Sequence, residues 1–143
     1  MTAAPADEPT PHDLPAARRR ADARPSAPAA SGPAGHDSQA TAWRDLVVVS
    51  GQLGPRADGT PTAAAPFAVQ ARQALGNLLA ILAEAGCGPE RVTADIVGVE
   101  NWPVFNRVYA ELFGAAKPAR TVVPAPELHH GYRVEAEAIA ARP

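Results

Sequence analysis

Two stretches repeat apolar residues at helical spacing, and the segments between and around them read as strands. That alternation limits the fold more than any other feature of the chain. In PFAVQARQALGNLLAILAEAG (66–86), Phe67, Ala71, Leu75, Leu78, Leu79 and Leu82 fall on one helical face. Pro66 suits a first-turn position and Gly86 a helix end. In the second stretch Val104, Phe105, Val108, Tyr109, Leu112 and Phe113 form the apolar stripe. Asn101 is placed to cap that helix, Trp102 and Pro103 open its first turn, and Gly114 ends it. SQATAWRDLVVVSGQ (38–52) reads as two short strands around Arg44-Asp45, and VTADIVGV (92–99) as a third. PARTVVPAPELHHGYRVEAEAIA (118–140) reads as two more, joined by a Pro-punctuated turn. The order ββ-α-β-α-ββ predicts an α+β domain of two layers, with two helices on one face of a mixed sheet. Two helices cover one sheet face only, so subunit contact is expected to bury the other.

The first forty residues hold seven of the sixteen prolines and no Phe, Trp or Tyr. Such a segment buries too little apolar surface to offset its ordering entropy, so residues 1–36 are expected to form a disordered tail and 37–143 the folded domain. Arg18, Arg19 and Arg20 lie in this tail, but no apolar run follows them, and Asp7, Glu8, Asp13 and Asp22 argue against an organelle leader. No stretch has the length of a membrane span, so no membrane partner is expected. Cys87 is the one cysteine, which excludes an internal disulfide and fits a reduced, cytoplasmic setting. It has no neighbouring His to make it a nucleophile. The net charge is -2, with one lysine and twelve arginines, four of them in the tail. The rest lacks a basic stripe for phosphates, so nucleic acid is not the expected partner.

If 118–140 is an antiparallel hairpin, its middle lies near Glu127 and Leu128, and Arg120 and Glu135 are equidistant from it. They would then meet across two strands otherwise made of Val, Ala and Ile. The pair reads two ways: a cross-strand strut of roughly 0.2–1 kcal/mol, or a site. Glu135, Glu137 and Arg133 share one face of the last strand; Val134, Ala136, Ala138 and Ala140, small and apolar, share the other.

SGQ (50–52), QARQALGN (70–77), the LAEAG helix end (82–86), FNRVYAELFG (105–114), PAR (118–120) and VEAEAIA (134–140) occur in one register from about Ser38 to Ala141. In that order and spacing they resemble the RidA/YjgF imine deaminase family. The resemblance implies a chorismate-mutase-like α+β fold, a homotrimer with ligand clefts between subunits, and hydrolysis of reactive 2-enamines and 2-imines to 2-keto acids and ammonia. It implies no cofactor and no metal. The family's arginine falls on Arg120 and its water-activating glutamate on Glu135. Ser50 and Gly51 match the turn lining the cleft, Asn106 the asparagine of the second helix, and Thr121 and Val122 the ligand-contacting positions after the arginine. The chain departs from the family pattern at Asp37, preceded by His36, where a tyrosine is usual. It departs again at Thr121-Val122, where Ser/Thr-Cys is common, and at ELHHG, where a Leu-Pro turn is common.

Those residue types suit the chemistry. A guanidinium matches a planar carboxylate with two parallel donors, and a partly desolvated carboxylate can take the proton of a water attacking C=N. His129 and His130, if in a strand, point opposite ways and make poor joint metal ligands; either of them, or Asp37, is a candidate for the missing tyrosine's role. Glu137 reads as a solvated or interface carboxylate. Two other functions remain open at this point: a non-catalytic, regulatory trimer that binds small carboxylates, and a ribonuclease, which the acidic balance disfavours.

Overall fold

The computed structural model describes residues 24–143. Residues 1–23 of the expected tail lie outside the described residues. The elements are β1 (Ala40–Trp43), β2 (Leu46–Gln52), α1 (Phe67–Glu84), β3 (Arg91–Val97), α2 (Trp102–Phe113), β4 (Ala119–Ala125) and β5 (Val134–Ala141), with short 3-10 turns at Val99–Asn101 and His129–Gly131. The expected two-layer α+β architecture is the one observed. The five strands form one mixed sheet in the order β1-β2-β5-β3-β4, antiparallel except for the parallel pair β3-β4. Both helices lie on one face.

The core fills the space between helices and sheet. Leu75, Leu78, Ile81 and Leu82 of α1 and Phe105 and Val108 of α2 meet Val47, Val49, Val92, Ala94, Ile96 and Val134 from the strands. β5 is central and packs under α1, and its helix-facing Ala136, Ala138 and Ala140 explain the small-residue run. With no bulky side chains beneath it, the helix can approach the sheet closely.

The structure overturns the hairpin. β4 and β5 do not pair, because β3 lies between them. The physical reason is the helix joining β3 to β4: a strand-helix-strand crossover sets β4 parallel beside β3. Pro124 lacks the N–H a central strand needs and keeps β4 at the sheet edge. The linker at 126–133 then returns the chain to the far side of β3, where Pro-free β5 completes the middle of the sheet.

The boundary at 36/37 also moves. Ala27, Ala30 and Ser31 are buried against the body. The buried Gln39 amide receives the Ala27 N–H at 2.7 Å and donates to the carbonyls of Ser31 at 2.7 Å and Ala27 at 3.3 Å. Small side chains suffice here because the buried amide pairs with the Ala27 N–H and with the Ala27 and Ser31 carbonyls. Asn77 works similarly from α1, donating to the carbonyls of Leu53 and Pro55 at 3.0 and 2.9 Å. Asn101 does not cap α2; its side-chain amide donates back to the Val97 carbonyl at 2.8 Å, which steadies the turn leaving β3.

The other sheet face is open. Leu46, Val48, Val123 and Ile139 stand on it with 40–43% exposure, and Val48 and Ile139 are direct cross-strand partners. Among the described residues no helix is long and apolar enough to cross a membrane.

Candidate active site

Arg120 and Glu135 occupy opposite faces of the sheet. Arg120 pairs in register with Val92, whose side chain is buried under the helices, so the guanidinium leaves β4 on the helix side. Glu135 pairs with Asp95 on the open face. The two belong to rows three residues apart and are separated by β3, which sets their Cα atoms roughly 14 Å apart. No strut joins them. Among the described residues the one ion pair within 4 Å is Arg72–Glu111, and it is exposed.

Arg120 is held by α2. Its Nη2 donates to Asn106 Oδ1 at 3.0 Å, and its Cζ lies 5.0 Å from the Trp102 ring centre and 4.5 Å from that of Tyr109. Asn106, Trp102 and Tyr109 sit at helical spacings of three or four, so one face of α2 presents all three. Tyr109 in turn stacks on Phe113 at 4.0 Å. Its hydroxyl is buried without a partner among the described residues, and burial pushes its pKa up, with the Arg120 charge opposing. One amide and two π-faces therefore fix the guanidinium's orientation and leave its remaining N–H groups free for a ligand.

Glu135 lies over Gly51. A Cβ at Gly51 would stand 3.0 Å from the Glu135 Cδ and collide with Oε1, so only glycine leaves the carboxylate its place. The β2 register shifts between Val49 and Gln52, an irregularity that includes Gly51. A cleft of about 390 Å³ opens above them, lined by Asp37, Gly51, Gln52, His129, His130 and Glu135 among others. Burial raises the Glu135 pKa above the usual carboxylate range. The Asp95 charge adds to the rise, His129 opposes it, and Glu137 adds again. A carboxylate in that condition can accept a proton from water near neutral pH.

The remaining candidates divide between the two faces. Val122 lies on Arg120's side, half-buried against the core. Thr121 is exposed on the open face, in register with Thr93. The Ser50 hydroxyl donates to the Ser38 carbonyl at 2.7 Å and ties the start of β1 to β2 beside Gly51. The histidines are not in a strand. They form a 3-10 turn with His130 at φ 58°, and both rings line the Glu135 cleft, 6.2 Å apart. Asp37 borders the same cleft, and its carboxylate accepts the Gly35 N–H at 3.2 Å. Burial pushes the Cys87 thiol up, away from nucleophilic use. Among the described residues no three His, Cys, Asp or Glu side chains cluster to hold a metal ion.

Trp102 and Tyr109 were not singled out as site residues by sequence. Their signal was present in the i, i+4 and i+7 spacing of Trp102, Asn106 and Tyr109, but a stripe of that kind also reads as core.

A family model described as Endoribonuclease L-PSP matches residues 26–142, beginning where the chain starts to pack against the body. The chain belongs to the RidA/YjgF family. A relative from Bos taurus, 2-iminobutanoate/2-iminopropanoate deaminase, is 37% identical over 117 residues, covering 80% of this chain and 83% of the relative. The Homo sapiens relative of the same name is 32% identical over 125 residues, covering 85% and 89%. Yeast Mmf1 superposes with a TM-score of 0.80 at 30% identity, covering 85% of this chain and 99% of that one. E. coli TdcF, solved with bound serine, superposes with 0.76 at 29% identity, covering 82% and 97%. RidA/YjgF membership thus accounts for the two-layer fold, as the sequence resemblance implied.

Proposed function

We propose that the protein hydrolyses reactive 2-imino acids and their enamine tautomers to 2-keto acids and ammonia, in clefts between the subunits of a homotrimer. The observation that carries this reading is the division of Arg120 and Glu135 between opposite sheet faces. A substrate touched by both must lie between two chains, with the guanidinium from one and the carboxylate from the next. The exposed apolar residues on the open sheet face supply a surface for such association.

Arg120 receives the substrate carboxylate through N–H groups not engaged by Asn106. Glu135, half-buried and with a raised pKa, takes a proton from water as its oxygen bonds to the imine carbon and the C=N π pair moves to nitrogen. Starting from the protonated imine, the product of that step is a neutral carbinolamine. Glu135 then returns the proton to the amine nitrogen. The C–N bond breaks as the hydroxyl gives its own proton back to Glu135 and its O–H pair becomes the carbonyl π bond. Ammonia leaves with the 2-keto acid, and Glu135 releases that proton to solvent. The deaminase names of the relatives support this reading. A single guanidinium flanked by aromatic rings, on a chain of net charge -2, suits one carboxylate better than an RNA backbone.

The test generates imines in situ with an amino-acid oxidase and follows keto-acid formation with and without the protein. Acceleration above the spontaneous rate supports the proposal. Keto-acid binding without acceleration would instead support a carboxylate-binding regulatory trimer.

A further inference from the structure

We infer that Trp102 is a specificity-determining residue of the Arg120 site, and that the site favours 2-imino acids with bulky apolar or aromatic side chains over the smallest ones. The inference rests on the proposed reading of Arg120 as the carboxylate clamp. Trp102 begins α2 and is 39% exposed, although it is one of the largest apolar side chains in the chain. It is not part of the buried core. Its ring centre is 5.0 Å from the Arg120 Cζ, on a guanidinium whose position Asn106 and Tyr109 also fix.

That distance has a consequence for any bound 2-imino acid. In a paired guanidinium and carboxylate the two carbons stand roughly 4 Å apart, set by N–H···O bonds of about 2.8 Å. The first side-chain carbon of the acid lies two bonds beyond the carboxyl carbon. A side chain that extends from there toward α2 comes within roughly van der Waals reach of a ring centred 5.0 Å from Cζ. Val99, in the turn just before α2, is a second exposed apolar residue at this end of the helix, with 69% exposure. A methyl group would contact a small part of this surface, whereas a branched or aromatic side chain would cover more of it. Tyr109 has the other role: buried and stacked on Phe113, it positions the guanidinium and has little surface left for substrate.

The experiment compares imines made in situ from alanine, leucine and phenylalanine, using the full chain and its Trp102→Phe and Trp102→Ala variants. The expected result is a loss of kcat/KM in Trp102→Ala that is about tenfold larger for the leucine and phenylalanine imines than for the alanine imine. Trp102→Phe should restore most of the difference. Equal loss for all three imines would overturn the specificity role and leave Trp102 as a positioning residue only. No loss for any of them would overturn both. Binding gives a readout independent of turnover: in a Trp43→Phe background, Trp102 is the remaining tryptophan. Its fluorescence should respond to the 2-keto acid of leucine more strongly, and at lower concentration, than to pyruvate. Fluorescence selectivity without imine hydrolysis would refute the deaminase reading while upholding the subsite. Identical titrations with both keto acids would refute the subsite whether or not the protein turns imines over.

Discussion

Replacing Gly51 by alanine sets a methyl group against the Glu135 carboxyl. The new Cβ would lie 3.0 Å from Cδ and 3.3 Å from Cγ, with Oε1 closer still. Restoring ordinary contact distances requires the carboxylate to move by roughly 1 Å. Glu135 is only half-buried and its end is flexible, so the side chain gives way in preference to the backbone. The cost in stability should stay below about 1 kcal/mol, short of what overpacking a rigid core site costs. The melting temperature should therefore fall by about 4 °C or less. Activity should respond far more, because a catalytic group displaced by about 1 Å can lose 10²-fold in rate. The assay is steady-state imine hydrolysis beside thermal unfolding of the same preparation. Gly76→Ala serves as the control. Gly76 lies inside α1 with no heavy atom near its added Cβ, so this change should stabilise the protein by about 0.5–1 kcal/mol and leave kcat alone. Unchanged kcat in a folded Gly51→Ala protein would refute the claim that the carboxylate acts from its place over Gly51.

Four further outcomes are expected. Glu135→Gln should lower kcat by about 10²-fold or more while pyruvate binding persists, as calorimetry would show. The same carboxylate sets a pH dependence. Its folded-state pKa is raised above the ordinary value of 4.5, so protonation favours the fold, and that contribution is lost as pH rises through the folded pKa. Parental stability relative to Glu135→Gln should therefore decline from pH 4 toward neutrality, and the acid limb of kcat/KM should lie above the usual carboxylate range; a limb at or below 4.5 would contradict this. Arg120→Lys should weaken keto-acid binding by losing the two-pronged geometry and the flat contact with Trp102 and Tyr109. Deleting residues 1–35 should lower the melting temperature measurably, since it removes buried Ala27, Ala30 and Ser31 together with the hydrogen bonds that Ala27 and Ser31 make to the Gln39 amide.

The strands and helices were legible because their signals are local: apolar stripes at a period of 3.6, β-branched runs, and Pro or Gly at their ends. The pairing of β4 with β5 was misread because sequence adjacency suggests a hairpin, whereas the helix between β3 and β4 had already assigned β4 its neighbour. Pro124 carried the edge-strand signal. Asn101 was misread as a cap because a short polar residue before a helix satisfies the same pattern, whether it bonds forward to the helix or back to Val97. The packing of Ala27 and Ala30 was hidden by composition, since no bulky residue marks the segment and its anchor, Gln39, lies outside it. Arg120 and Glu135 themselves were legible as chemical types at family spacing. Their division between sheet faces was not, because it depends on the strand that lies between them.

That division is tested most directly by mixing two defective chains. Arg120→Ala and Glu135→Gln proteins, carrying different tags, are coexpressed, and assemblies holding both tags are purified. If each site takes Arg120 from one subunit and Glu135 from its neighbour, a mixed trimer of either composition regains one intact site in three. Imine hydrolysis should then return to about one-third of the parental rate, although each variant alone is nearly inactive. Mixed assemblies no more active than the two variants measured separately would contradict the shared site.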